Sequence, residues 1–495
     1  MDSPEARPPR RTGLWLAVTG AGQAWRFLIS LLSAVVLGRL LLPSDFGLLA
    51  TLGPIIAVVE LIRDLGFSQA IVQRKEITSE QANGLFWISM AVTAFLSVVL
   101  LALSRPAAAT FHEPRLVGLL VAQSFSMLLS TSSAQAFAFL NRQLRFDMIA
   151  LTDGVGATVG FVVSVAGAAL THSYWSIFIG GVVQTAVNLA LASVLSGWRP
   201  GRPVLDRHVF DMAKFGAGVS LSNFCTFLSR NSDNLLIARA YGPVPLGLYD
   251  RSYKLMLLPL TQVTWPVARV LVPVLSRSQD DPDAYRSIYF RAITALMLIA
   301  QPGVVFAAIY SRPLIDFLLG PRWSGAAPIF SWLALAGVHQ LVTGSFAWLL
   351  ISQGRARALA SLAVFTSLTT VVAFLIGLPY GPVGVAAAYA ISDYLIRLPA
   401  TWLVVGRQGP VRAGPLWRAV APHVWACVLA ASCLFAVHRL DGDPPIWRLL
   451  LLGVSTYVIY SSALAVSADK RSAAAHFLAG LRGAVRLGRR SAPLD

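Results

Sequence analysis

Charged side chains inside long apolar stretches are the residues of this sequence best suited to chemistry. A charge at the centre of a membrane-spanning helix costs about 2.5–3.5 kcal/mol on insertion scales, so a functional role is the default expectation. Eight residues meet this description: Arg26, Arg230, Lys254, Arg269 and Arg291, and the carboxylates Asp153, Asp233 and Asp393. The cationic excess favours an anionic substrate, and the planar guanidinium group matches phosphate well. We expect the cations to bind substrate and the carboxylates to serve in coupling or pairing.

Some of these charges also allow a purely structural interpretation. Arg26 lies roughly twelve residues from either end of its apolar run, too deep for its side chain to reach the interface easily. Its alternative role is an ion pair with a carboxylate such as Asp393. Arg230 and Asp233 can pair with each other at i,i+3 spacing. Asp393 and Arg397 stand at i,i+4, and we interpret that pair as structural.

Long apolar helices must position these charges. Of the 495 residues, 56% are hydrophobic and only 13% are charged, whereas soluble domains carry about 25% charged residues. The apolar runs fit spanning helices of roughly 20 residues and are too long for β-barrel strands. We predict an all-α polytopic membrane protein. Its fourteen predicted spans are 14–38, 46–66, 83–103, 116–138, 149–170, 173–196, 210–238, 246–274, 287–310, 326–351, 358–377, 382–404, 417–437 and 446–466.

The distribution of basic residues orients these spans. Of the 40 lysines and arginines, 23 fall on the side that holds both termini and seven on the other side. Cytoplasmic loops carry the excess of basic residues in membrane proteins, so both termini are expected in the cytoplasm. The net charge of +17 therefore reflects membrane topology, and we expect no nucleic-acid partner.

Motifs for cofactor or metal chemistry are missing from the sequence. The seven histidines are scattered without ligand spacing, and no phosphate-binding GxxxxGK[ST] loop occurs. The outer loops are too short to hold an extramembrane catalytic domain. We predict a protein that is not an enzyme and that uses neither a metal nor a cofactor.

A weak internal repeat relates the two halves of the chain. Arg39-x₃-Pro43-x₃-Gly47-Leu48 matches Arg239-x₃-Pro243-x₃-Gly247-Leu248 at an offset of 200 residues, and Ser-Arg-Pro at 104–106 returns at 311–313. Six spans separate each pair, so the repeats run parallel, as in transporters built from two bundles. The predicted organisation is an N-terminal cytoplasmic segment 1–13, an N-lobe 14–196, a cytoplasmic linker 197–209, a C-lobe 210–404, two appended spans within 405–466 and a basic cytoplasmic tail 467–495.

Several stretches of the chain resemble a known family. They include 38–48, 64–70, Ser232-Asp233-Asn234-Leu-Leu-Ile-Ala-Arg239, Tyr253-Lys254-Leu-Met-Leu-Leu-Pro259 and Leu319-Gly320-Pro-Arg-Trp323. Across essentially its whole length the chain resembles the Wzx and WzxC-like polysaccharide transporters of the multidrug/oligosaccharidyl-lipid/polysaccharide flippase superfamily. The resemblance implies two six-helix lobes around a V-shaped central cavity, with two further C-terminal helices.

The resemblance also implies a function. Such a protein would sit in the bacterial inner membrane and flip undecaprenyl-pyrophosphate-linked oligosaccharide from the cytoplasmic to the periplasmic leaflet by alternating access, for exopolysaccharide or lipopolysaccharide synthesis. Membrane lipids and a polysaccharide polymerase or export apparatus are the further partners it implies. Related flippases use arginines in their first and eighth spans, which Arg26 and Arg269 match by location.

Two other functions compete with this one. The alternative is an ion-coupled drug or metabolite antiporter of the same superfamily, which would typically carry twelve spans and an acidic ion site in the first lobe. The first span here offers Arg26 and no carboxylate, which disfavours that function. A third class is a membrane enzyme that joins the same sugars, disfavoured by the short outer loops.

Overall fold

Helices make up all the regular secondary structure of the described residues. The structure is a computed structural model that describes residues 12–64, 79–143, 145–197, 199–202, 231–441 and 444–466. The chain forms two compact units, Met1–Gly247 and Leu248–Asp495. The predicted bounds of the two lobes, the linker and the tail remain predictions, since most of the linker and the whole tail lie outside the described residues.

The described residues of the first unit contain six complete helices. They are α1 Thr12–Leu40, α2 Pro43–Asp64, α3 Ser79–Thr110, α4 Arg115–Arg142, α5 Phe146–Thr171 and α6 Trp175–Ser196. Residues 231–241 are also helical. Helix α7, Pro243–Arg277, begins in this unit and continues into the second.

In its described residues, the second unit continues with further helices, two 3₁₀ turns and a π-helix. The helices are α8 Pro282–Ile309, α9 Ser311–Leu318, α10 Ala327–Ser352, α11 Ala356–Gly377, α12 Gly381–Ser392, α13 Leu398–Gly406, α14 Ala413–Asp441 and α15 Ile446–Val466. Two 3₁₀ turns, Pro321–Ala326 and Leu378–Tyr380, precede α10 and α12. A π-helix, Asp393–Arg397, joins α12 to α13.

Eleven stretches of the described chain are long and apolar enough to cross a membrane, or twelve if the bent helix α7 is one span. One stretch, Ala356–Gly406, holds both α11 and the α12–α13 pair, which were predicted as separate spans. Most of the seventh predicted span lies outside the described residues. The multi-pass helical architecture is thus confirmed, while the count of fourteen stays a prediction.

A stripe of small residues on α5 packs this helix against the next one. Gly156, Gly160 and Ser164 are buried on α5, and an added Cβ on Gly160 would lie 2.8 Å from the Gly180 carbonyl oxygen of α6. Small residues let helix backbones approach closely where no hydrophobic driving force acts between helices. The α5 and α6 backbones are therefore closely packed in the first unit.

In each unit, residues that follow one helix donate hydrogen bonds to backbone carbonyls near the C-terminus of another, at the predicted cytoplasmic end. Gln143 and Arg145 follow α4 and donate to the Ser196 and Leu195 carbonyls at the end of α6. In the second unit, Arg355 follows α10 and donates to the Val404 carbonyl of α13 at 2.9 Å. Cations stabilise helix C-termini, where the last carbonyls lack partners. Gln353 precedes Arg355 at the same spacing, so Gln-x-Arg is a third element of the repeat, at an offset of 210 residues.

The repeated Ser-Arg-Pro sequence, in contrast, has a different local structure in each unit. In the first unit it lies within the continuous helix α3, which contains Pro106. In the second unit the helix ends at Ile309, and a new helix begins at Ser311. The sequences match, but the local structures do not.

The two helices predicted as appended spans pack onto α8. The Tyr460 hydroxyl of α15 donates to Gln301 Oε1 of α8 at 2.7 Å, and His423 Nδ1 of α14 lies 2.7 Å from the same hydroxyl. All three side chains are buried. A buried polar group must be hydrogen-bonded to avoid a desolvation cost, so this cluster fixes how α14 and α15 meet α8.

Candidate functional site

Of the eight predicted charges, Arg26 and Asp153 are in direct contact. Arg26 Nη1 of α1 lies 2.8 Å from Asp153 Oδ2 of α5, with the side chains 47% and 25% exposed. The two helices pack closely here, because an added Cβ on Gly22 would approach Ala150 to 2.9 Å. The ion pair is therefore held on one flank of a tight helix contact, with much of the guanidinium group left accessible.

The sequence of α1 places Arg26 on a polar face. Gln23, Arg26 and Ser30 follow helical spacing, and all three are exposed. On the other side of the α5 contact, an exposed apolar face is formed by Trp25, Leu28 and Leu32. A bilayer accepts the apolar face, whereas a charged stripe belongs against protein or water. Arg26 thus lies on the polar face of α1, and its substrate-binding role stays a prediction.

The suggested ion pair between Arg26 and a carboxylate of another helix is present, but Asp393 is the wrong residue. Asp393 belongs to the second unit, where it contacts Arg397 and His339, and the carboxylate that pairs with Arg26 is Asp153. Spacing within the sequence could not reveal this, because the pair depends on which helices pack together. Asp153 therefore has an observed pairing role.

The cations of the second unit differ in their surroundings. Lys254 Nζ of α7 lies 2.9 Å from Asp250 Oδ2, one turn earlier on the same helix. Arg269 and Arg291 are exposed on α7 and α8, and neither forms an ion pair with a described residue. Their charges are thus open to an anion, as predicted for substrate-binding cations, but their role remains a prediction.

The predicted pair in span seven is only half described. Arg230 lies outside the described residues, so its contacts are not discussed. Asp233 is buried, with 4% of its surface exposed, and its Oδ1 accepts the Asn234 backbone N–H at 2.8 Å. A coupling role for Asp233 stays a prediction.

Asp393 lies in a buried polar cluster of the second unit. Its Oδ1 is 3.1 Å from Arg397 Nε, which confirms the predicted i,i+4 pair. Its Oδ2 is 3.1 Å from both His339 Nε2 and Gln340 Nε2 of α10. We call His339, Gln340, Tyr389, Asp393 and Arg397 the His339 cluster.

Sequence reasoning missed His339 as a partner of Asp393. The two residues are 54 positions apart, and His339 belongs to no recognised ligand motif. A signal was present, since His339 and Gln340 interrupt a strongly apolar run. Ionisable residues within such runs face other polar groups rather than lipid.

Comparison with known proteins places the chain in a family. Residues 36–328 match the family model described as polysaccharide biosynthesis protein, which covers more than half of the chain. The chain belongs to the polysaccharide biosynthesis protein family.

Two relatives illustrate this family. The chain is 24% identical over 384 residues to the lipopolysaccharide biosynthesis protein WzxC of Escherichia coli, across 76% of this chain and 77% of WzxC. It is 24% identical over 430 residues to the succinoglycan biosynthesis transport protein ExoT of Rhizobium meliloti, across 84% of this chain and 78% of ExoT. The predicted membership in the Wzx-like family is thereby confirmed.

A solved structure shows the same fold. The lipid II flippase MurJ, in an inward closed conformation, aligns with a TM-score of 0.73 at 15% identity, over 92% of this chain and 99% of MurJ. At this identity the match shows the fold alone, an all-α polytopic membrane fold. The central cavity implied by the family resemblance remains a prediction.

Proposed function

We propose that this member of the polysaccharide biosynthesis protein family flips lipid-linked oligosaccharide across the bacterial inner membrane, from the cytoplasmic to the periplasmic leaflet. The expected carrier is undecaprenyl pyrophosphate, and both termini lie in the cytoplasm. Support comes from the relatives, one named as a lipopolysaccharide biosynthesis protein and another as a succinoglycan transport protein. MurJ, which shares the fold, is named as a lipid II flippase.

The observation that carries this proposal is the exposed Arg26 on the polar face of α1. Its guanidinium group keeps open donors while Asp153 fixes its position. Arginine forms bidentate, charge-assisted hydrogen bonds with phosphate, and these are about twice as strong as neutral ones. A membrane helix that presents such a group suits a pyrophosphate linked to a sugar and to a lipid tail.

The proposed cycle uses Arg26 as the anchor for the pyrophosphate. The anion binds while the site is open to the cytoplasm, and release follows when the site opens to the periplasm. Arg269 and Arg291 are proposed to contribute further positive charge, as is Lys254 with its neighbour Asp250. A polysaccharide polymerase or export apparatus would then take the sugar chain from the outer leaflet.

Leaflet-resolved quantification of polyprenyl-pyrophosphate oligosaccharide in cells that lack the protein tests this proposal. Complete units should accumulate on the cytoplasmic leaflet, and the intact protein should restore their transfer. Arg26→Ala should not restore it, although the protein reaches the membrane in normal amount. Leu28→Ala, on the apolar face of the same helix, is the matched control and should restore transfer.

Other outcomes point to other functions. If complete units reach the outer leaflet without the protein but stay unpolymerised, the protein acts after flipping and the flippase proposal is wrong. If the glycolipids do not change at all, the drug or metabolite antiporter takes its place. Normal transfer by Arg26→Ala would refute the assigned role of Arg26.

A further inference from the structure

The His339 cluster holds an ionisable imidazole beside the buried ion pair of Asp393 and Arg397. His339, Asp393 and Arg397 are 8%, 7% and 5% exposed. The carboxylate of Asp393 has cations or donors on both oxygens, with Arg397 Nε at 3.1 Å from one and His339 Nε2 at 3.1 Å from the other. Histidine is the side chain whose ordinary titration falls within the physiological pH range.

Arg397 is held independently of Asp393. Its guanidinium group donates to Thr370 Oγ1 of α11, to the Tyr389 backbone carbonyl at 2.6 Å and to Ser392 Oγ at 3.3 Å. It also lies 4.2 Å from the centre of the Tyr389 ring. Arg397 and Asp393 therefore balance each other's charge, and the cluster is neutral when His339 is neutral.

The second nitrogen of His339 has a partner that suits either protonation state. Thr343 Oγ1, one turn later on α10, lies 3.5 Å from His339 Nδ1 and 3.4 Å from the His339 carbonyl oxygen. In the neutral imidazole, Nε2–H faces Asp393, and Nδ1 accepts from the Thr343 hydroxyl. When a proton arrives at Nδ1, the hydroxyl can accept from Nδ1–H and donate to the carbonyl instead.

The surroundings of His339 contain few other titratable groups. Tyr394 lies edge-on to the imidazole at 4.5 Å between ring centres, and its hydroxyl donates to the Leu335 carbonyl. The Cys427 thiol of α14 is close enough to Tyr394 to interact with it electrostatically. From α8, Gln301 reaches the Val338 carbonyl. Gln340 Nε2 donates to the hydroxyl oxygen of Tyr389 of α12 at 2.9 Å. Asp393 is the carboxylate that faces His339 among the described residues.

The backbone of the cluster is irregular where the charges lie. Residues Asp393–Arg397 form a π-helix between α12 and α13. Such single π turns within α-helices often occur at functional sites. The corresponding interface of the first unit, between α5 and α6, carries the neutral amides of Gln184 and Asn188 beside Gly160 and Gly156. Packing of this kind of helix pair therefore does not require buried charge.

We propose that the His339 cluster is a proton-binding site whose protonation repositions the π-helix of span twelve. One proton from water binds His339 Nδ1 and changes the net charge of the cluster from zero to +1. An uncompensated buried charge is costly, so the protonated state favours a conformation in which Asp393–Arg397 meets water. The coupling role rests on the proposed function: the site would couple proton entry to oligosaccharide flipping.

Hydrogen exchange measured by mass spectrometry tests the site without any transport. Exchange in peptides that cover 389–405, corrected for intrinsic rates, should increase as the pH of the experiment is lowered from about 8 to 5. His339→Gln should abolish this response. His423→Gln is the matched control, since His423 is also buried and hydrogen-bonded but lies outside the cluster, and it should keep the response.

An unchanged pH response in His339→Gln would overturn the proposal, as would a flat response in the intact protein. If His339→Gln does not accumulate, Thr343→Val keeps the imidazole and removes the hydroxyl that would accept a hydrogen bond from Nδ1–H. This variant should weaken the response, and an unaltered response would count against the proposal.

Flipping in proteoliposomes then tests the coupling. A pH gradient should accelerate transfer of labelled polyprenyl-pyrophosphate oligosaccharide severalfold by the intact protein and by His423→Gln, but not by His339→Gln. Gradient-independent flipping by the intact protein would overturn the coupling role and leave the flippase function standing. No flipping by the intact protein under any gradient would instead contradict the proposed function, while the exchange experiment still decides the proton site.

Discussion

At the scale of single residues, the contact between Arg26 and Asp153 combines two roles that a pair of opposite charges can have. In a purely structural pair, each residue neutralises the charge of the other within the membrane. Removal of one partner then leaves an unpaired charge, which destabilises the protein. A substrate-binding arginine uses its carboxylate partner for orientation. The half-exposed guanidinium group favours the second role, since a pair needed only for neutrality gains nothing from exposure to a polar ligand.

A double variant separates the two roles. Arg26→Gln should reduce oligosaccharide transfer more than tenfold, because the pyrophosphate loses a charge-assisted partner that we expect to be worth about 1.5–3 kcal/mol. Asp153→Asn should reduce it only a few-fold, because Arg26 remains charged and accessible. The double variant Arg26→Gln/Asp153→Asn should be as inactive as Arg26→Gln. Transfer is measured by the leaflet-resolved assay.

Recovery in the double variant would contradict substrate binding. It would mean that neutrality of the pair is all that matters, because removing both charges would then repair the damage of removing one. Equal membrane levels of all three variants are the control for folding.

At the scale of elements, the repeated Pro-x₃-Gly segments contact each other. An added Cβ on Gly47 would overlap the Pro243 carbonyl and lie 2.9 Å from the Gly247 nitrogen. One on Gly247 would likewise overlap the Pro43 carbonyl and lie 3.0 Å from the Gly47 nitrogen. The first turns of α2 and α7 thus meet backbone to backbone, in a reciprocal contact that each glycine makes possible.

Substitution of these glycines should therefore destabilise the protein. Gly47→Ala and Gly247→Ala should each lower the free energy of unfolding by about 1–3 kcal/mol, because the new methyl group meets backbone that cannot move aside. Gly53→Ala in the same helix α2 meets nothing within 4 Å and should be neutral or slightly stabilising, as alanine favours helix. Thermal unfolding midpoints of the purified proteins in detergent measure the effect.

A different result would show that the contact is dispensable. If all three variants melt together, the backbones at Gly47 and Gly247 separate without cost. If only one of the two glycine variants is destabilised, the reciprocal geometry is wrong.

The sequence predicted the equivalence of these segments but not their contact. An offset of 200 residues shows that Gly47 and Gly247 hold corresponding positions, and helix periodicity predicted the helices that begin there. Contact between them depends on where each helix lies in the bundle, which no local pattern encodes. For the same reason Arg26 and Asp153 were both predicted as functional charges, but the contact between them was not. His339 was seen as a scattered histidine because its partner lies on another helix.

At the scale of the whole molecule, the distribution of basic residues predicts how many spans lie between two loops, a number that the described helices do not determine. Nine predicted spans separate His112, in the turn between α3 and α4, from Gln408, which follows α13. An odd number places the two residues on opposite sides of the membrane. Residues 203–230, which hold most of the seventh span, lie outside the described structure. If that span did not cross, eight would remain and the two residues would share one side.

Cysteine labelling distinguishes nine spans from eight. In a variant whose natural cysteines at 225, 427 and 433 are replaced by serine, His112→Cys should react with a membrane-impermeant maleimide in intact spheroplasts. Gln408→Cys should react only in inverted vesicles, because the basic loops around it are expected in the cytoplasm. Gly354→Cys, in the turn between α10 and α11, should be labelled from the same side as Gln408→Cys, because two predicted spans separate them. Labelling of His112→Cys and Gln408→Cys from the same side would remove the seventh span, and with it the equal division of twelve spans between two repeats.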